Sequence, residues 1–202
     1  MTYTKLELNA LLYEHRSTQP KINGAHYVMA CLRTASTQPV GYFLHGLAGE
    51  LVELLEAPDE VAFRKELGDV LWYYAMFVYK LDSEYDYDLT PVFQDSKIDP
   101  LYAYVYTGGS MRKEDASALA LLKTVGRIEE CYKKMLGHRK NQQVAIGREI
   151  RSLYFQIAGL AQMHGVCMSD VAYENIEKLR LRYPDGFSFE ASAFRADERI
   201  KE

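Results

Sequence analysis

Cysteine is scarce in this chain of 202 residues, and its pattern excludes two kinds of scaffold. Cys31, Cys131 and Cys167 are odd in number and far apart, with no CxxC pair and no Cys/His cluster. Neither a disulfide framework nor a structural zinc site is indicated, and reduced thiols in a reducing compartment are the expectation. Basic charge is also short. The 24 Lys and Arg stand against 28 Asp and Glu, a formal net charge of -4, which lacks the positive footprint that contacts to a phosphate backbone require. Long nucleic acid is therefore not an expected partner, while a small phosphorylated ligand held through a metal remains compatible. No run reaches the roughly 18 apolar residues of a membrane span, and the start lacks a basic segment followed by an apolar one. No membrane association and a cytoplasmic location are the expectations. Strict polar/apolar alternation, the mark of a long half-buried strand, is missing as well.

What is present is helical patterning. A chain that is 48% hydrophobic and 26% charged is globular in composition, and its length allows a core without staples. The expectation is a single all-α domain over residues 1–202. A weak helical pattern precedes Asn23-Gly24, and a first clear helix is predicted from Ala25 to Ser36, before Pro39. Tyr42 to Glu56 carries Leu44, Leu47, Leu51, Leu54 and Leu55 at helical spacing, and Pro58-Asp59 separates it from the next helix. That helix bears one stripe of Phe63, Leu67, Val70, Leu71, Tyr74, Val78 and Leu81. Residues 82–113, rich in Asp, Tyr, Pro and Gly, read as a connector. Helices are again predicted at Asp115 to Leu136, Val144 to His164 and Ser169 to Tyr183, with Ser169 as N-cap and Pro184-Asp185-Gly186 as a stop. The tail beyond Ser188 is polar and expected to pack loosely.

The helix pair is echoed within the chain. AGELVE (48–53) aligns with VGRIEE (125–130), and RKELGDVL (64–71) with GREIRSLY (147–154). In this register Glu53 matches Glu130 and Glu66 matches Glu149, whereas Glu50 is replaced by Arg127 and Asp69 by Ser152. The reading is a pseudo-symmetric bundle with an internally duplicated helix pair. Residues 25–81 form the acidic copy and residues 114–190 a degenerate one.

Glu50 and Glu53 lie three apart, as do Glu66 and Asp69, so each pair occupies neighbouring turns of a helix beside its apolar stripe. A short linker favours antiparallel packing, which lets four carboxylates converge at the edge of the interface. Four like charges repel unless a cation sits among them, and hard oxygen ligands suit magnesium or manganese. Such an ion can grip a phosphate chain and activate water. The spacing alone arises by chance in a chain this acidic, and the surrounding sequence carries the rest of the argument.

YVMACLRTA (27–35), GLAGELVE (46–53), KELGDVLWY (65–73) and NIEKLRLRYPDGF (175–187) occur in order. With these four blocks the chain resembles the all-α nucleoside triphosphate pyrophosphohydrolases of the MazG type, relatives of the dimeric dUTPases and of phosphoribosyl-ATP pyrophosphohydrolase. Their signature is ExxE, a gap of a dozen or more residues, then ExxD; here 12 residues separate Glu53 from Glu66. The resemblance implies hydrolysis of a nucleoside triphosphate, preferably a deoxynucleotide, to the monophosphate and pyrophosphate. It implies magnesium, with manganese as an alternative, held by Glu50, Glu53, Glu66 and Asp69, and it places Asn175, Lys178 and Arg182 near metal and phosphates. Lysines that commonly follow the first acidic pair are replaced by Glu56-Ala57, and the echo has Lys133-Lys134 there. One chain is thus expected to build a site that smaller relatives assemble between subunits, with Lys133 and Lys134 also binding substrate.

Among the carboxylates, Glu53 is a candidate to orient the attacking water, although the sequence does not divide the roles. Trp72, Tyr73 and Tyr27 are candidates for stacking on a nucleobase. His26, His45, His138 and His164 show no metal spacing. A narrower dUTPase or dCTPase would use the same carboxylates with another base pocket. A catalytically silent bundle that binds nucleotide or protein is the reading from another class. A homodimer is the highest assembly expected.

Overall fold

A computed structural model describes residues 24–87 and 116–195. The described residues form seven helices and no strand, so the all-α class expected from the sequence holds among them. In chain order these are α1 (Gly24–Leu32), α2 (Val40–Glu56), α3 (Glu60–Tyr85), α4 (Ala118–His138), α5 (Gln143–Met163), α6 (Met168–Arg182) and α7 (Phe189–Phe194). The weak helical pattern before residue 24 and most of the predicted connector lie outside the described residues.

The chain divides into two compact units. In its described part the first holds residues 116–168, and the second holds 24–87 with 169–195. The boundary between the units falls after Met168. Helix α6, with its Asn/Lys/Arg block, belongs to the unit of the acidic pair.

In that second unit α2 and α3 form a hairpin across residues 57–59. The Asp59 carboxylate starts α3 by accepting from the Ala62 backbone N–H at 2.8 Å, a cap that replaces a hydrogen bond the first turn lacks. The predicted stripe from Phe63 to Leu81 is buried, and Ala75, Met76 and Phe77 are buried with it. Facing it are Phe43, Leu44, Leu47, Leu51 and Leu54 of α2. Each such side chain taken fully from water contributes about 1.5–3 kcal/mol, which makes the hairpin a rigid frame for whatever its edge carries. Helix α3 runs to Tyr85, past the predicted start of the connector, and ends where Asp86 turns left-handed (φ 54°).

Two boundaries differ from the sequence reading for local reasons. Helix α1 stops at Leu32, short of Ser36, because the Cys31 carbonyl accepts from both the backbone N–H and the hydroxyl of Thr34, each at 3.0 Å. Helix α6 begins at Met168, so Ser169 lies in its first turn instead of capping it. The described start of the tail is helical, with no buried residue. The Ser188 hydroxyl accepts from the Ala191 N–H at 3.0 Å and starts α7. The stop signal before it holds: Gly186 adopts φ +97°, and the Arg33 guanidinium donates to the Pro184 carbonyl at 2.5 Å.

In the first unit α4 and α5 form the other hairpin. Its interior is built from Leu121, Val125, Ile128, Ile146, Ile150, Leu153 and Ile157. No helix among the described residues is long and apolar enough to cross a membrane.

Candidate active site

Helical spacing puts Glu50 and Glu53 on successive turns of α2, and the hairpin brings Glu66 of α3 against them. Each of the three offers one carboxylate oxygen, and these oxygens lie within 4.8 Å of one another. Glu66 is 9% exposed, Glu50 is half-buried and Glu53 is exposed. Burial, followed by the charges of Asp69, Glu53 and Glu66, pushes the Glu50 carboxyl up to about 7, against the opposing pull of Lys178. At Glu50 the cluster therefore combines burial with like charge.

The expected set of four acids resolves into three plus one. Asp69 Oδ1 accepts from the Lys178 ammonium and, at 3.3 Å, from the Asn175 side-chain amide. Both donors sit on α6. Close approach of α6 to α3 is possible because residue 68 is glycine: a Cβ there would lie 3.0 Å from Asn175 Nδ2. One turn earlier the Arg64 guanidinium grips the Glu174 carboxylate through two hydrogen bonds of 2.5 and 3.2 Å. Lys65 adds a further cation, with its Nζ 2.9 Å from Glu66 Oε1.

These acids face a cleft of about 430 Å³, a volume suited to a small ligand. Lys65, Arg182 and Arg195 line it, and so do Tyr42, Trp72, Tyr73, Tyr183, Phe187 and Phe189. It thus joins an acidic floor, basic walls and aromatic faces. Trp72 is fixed by donating its indole N–H to the Thr34 hydroxyl at 3.0 Å, and it meets Tyr73 edge-on at 4.9 Å. The Tyr73 ring lies over Gly46, where a Cβ would come within 2.1 Å of it. Burial and the neighbouring Tyr42 raise the Tyr73 hydroxyl above its usual range, so it stays protonated at neutral pH.

Tyr27 does not belong with these aromatics. It is 5% exposed, and its hydroxyl donates to Asn175 Oδ1 at 3.0 Å, so its ring is core and no stacking surface. Lys65 and Arg195 were not singled out by sequence. Lys65 opens the ExxD block, but Arg195 lies in the tail beyond the last motif and carries no local signal. Lys133 and Lys134 sit on α4 in the first unit, each ion-paired with Glu130. Every described residue lining the cleft comes from the second unit.

Residues 40–97 match the family model of the MazG nucleotide pyrophosphohydrolase domain, a segment that contains α2, α3 and all four acids. The match spans less than a third of the chain and supports membership of its hairpin in a nucleotide pyrophosphohydrolase family. No curated protein and no solved structure matches the chain significantly.

Proposed function

We infer that this protein hydrolyses a nucleoside triphosphate, preferably a deoxynucleotide, to the monophosphate and pyrophosphate in a magnesium-dependent reaction. The observation that carries the reading is the convergence of the Glu50, Glu53 and Glu66 oxygens within 4.8 Å, in a cleft walled by basic and aromatic side chains. The donor set fits the ion. Three converging carboxylates are hard oxygen ligands of the kind that suit magnesium or manganese. Magnesium or manganese held there supplies charge neutralisation and Lewis-acid polarisation of phosphate and water.

The chain's own residues do the rest. Arg182 and Arg195 neutralise phosphate charge beyond what a divalent ion covers, and Lys65 and Lys178 hold Glu66 and Asp69. Glu53, the most exposed of the three clustered acids, is our candidate to orient a water and accept its proton. Across the α–β anhydride a new P–O bond forms from water and the bridging P–O bond breaks, which yields monophosphate and pyrophosphate. Trp72, Tyr42 and Phe187 offer faces to a planar base.

Pyrophosphate release from each common dNTP and NTP with magnesium, beside Glu50→Gln as blank, tests this. Release from one or a few substrates, lost in the variant, supports it and identifies the base. No release from any of them by a folded protein leaves the silent binding bundle instead.

A further inference from the structure

We propose that Tyr27 is a positioning residue for this reaction, acting on Asp69 through the Asn175 amide; the proposal rests on the hydrolytic reading of the same site. The three groups form a relay from core to cleft. The Tyr27 hydroxyl donates to Asn175 Oδ1 at 3.0 Å, and Asn175 Nδ2 donates to Asp69 Oδ1 at 3.3 Å. Tyr27 is 5% and Asn175 3% exposed, so water does not compete for the first link, while the second reaches the part-buried Asp69 carboxylate at the cleft.

A primary amide can turn over and exchange its oxygen and nitrogen. Facing a carboxylate, only the nitrogen is acceptable, because an ionised carboxylate accepts and cannot donate. Asp69 makes that choice; the Tyr27 hydroxyl, which could donate or accept, anchors the far end of the amide by donating to the oxygen. Gly68 lies against the same amide, so helix α3 gives it no slack: a Cβ there would come 3.1 Å from Asn175 Cβ. The amide is therefore anchored at its far end by one buried hydroxyl, 148 residues away in sequence. Asp69, like Glu53 and Glu66, lies in the charge field of Glu50, and it is the only one of the four bonded to α6 among the contacts described above. Partners that orient a ligating or catalytic group typically contribute about 10–100-fold to affinity or activity.

Tyr27→Phe removes the hydroxyl and keeps the ring, so the core survives. Expected are a kcat about tenfold lower with KM changed less than twofold. In an Asn175→Ala background the same substitution is expected to have no further effect. In the full chain without nucleotide, NMR should show protected Asn175 side-chain amide protons that become exchange-labile in Tyr27→Phe. An equal loss of kcat in both backgrounds, or protection retained in Tyr27→Phe, overturns the proposal. If the parent releases no pyrophosphate from any nucleotide, the hydrolytic reading fails, and amide exchange alone still decides whether Tyr27 holds Asn175.

Discussion

Arg127 donates to Glu149 at 2.6 Å across the α4–α5 hairpin, in the register where Glu50 and Glu66 face one another on α2–α3. The second terminal nitrogen of Arg127 also donates to the buried Thr124 hydroxyl at 2.9 Å. The two hairpins thus answer the same problem, a buried glutamate at a helix interface, in different ways. One supplies a guanidinium, and the other pairs Glu66 with Lys65 and leaves one oxygen each of Glu50, Glu53 and Glu66 within 4.8 Å of one another. Arg127→Met should cost about 1 kcal/mol, at the low end for a deprived buried acceptor because Arg148 also lies 3.4 Å from Glu149. Thermal unfolding should register a fall of roughly 2–4 °C in Tm. An unchanged Tm would mean that the pair contributes nothing.

Metal should stabilise the folded protein through Glu50, Glu53 and Glu66. Magnesium at 100 times its Kd is expected to add about 2.7 kcal/mol, and Glu53→Gln should lose most of that shift. Equal magnesium shifts in the parent and in Glu53→Gln, read by thermal melts, would place the ion elsewhere.

Glu50 makes that binding depend on pH. Its folded pKa of about 7 lies above the unfolded value of about 4.3, so the metal-free fold prefers the protonated form. The stabilising contribution is complete below about 4.3 and is lost as pH rises through 7. Metal needs the carboxylate, so manganese affinity should fall about tenfold per unit as pH drops below 7. Calorimetric titrations at three values across that range would check this, and a flat affinity would remove Glu50 from the ligand set.

Two glycines on one helix separate shape from propensity. Gly46→Ala drives a methyl into the Tyr73 ring and should destabilise by about 1–3 kcal/mol while disturbing the cleft wall. Gly49→Ala meets nothing within 4 Å and should stabilise by about 0.5–1 kcal/mol. Denaturant midpoints of the two variants should therefore move in opposite directions.

Trp72 is the chain's single tryptophan, and it lines the cleft. A non-hydrolysable nucleotide with magnesium should change its fluorescence saturably. Binding seen by calorimetry without any change in emission would remove Trp72 from contact with the ligand.

The sequence by itself determined the helices and the acidic pairs. Periodicity and the Pro58-Asp59 break are local, and local energies place an element whatever it packs against. The ExxE and ExxD spacings likewise fixed which acids share a helix edge. Only the tertiary structure decided how they divide. Asp69 turns to Lys178 and Asn175, more than 100 residues on, because α6 crosses α3 at Gly68. Tyr27 becomes core because the buried amide of Asn175 needs its hydroxyl, and Arg195 reaches the cleft because α7 folds where a loose tail was expected. Each of these outcomes depends on the approach of segments far apart in sequence, which no periodicity or motif spacing encodes.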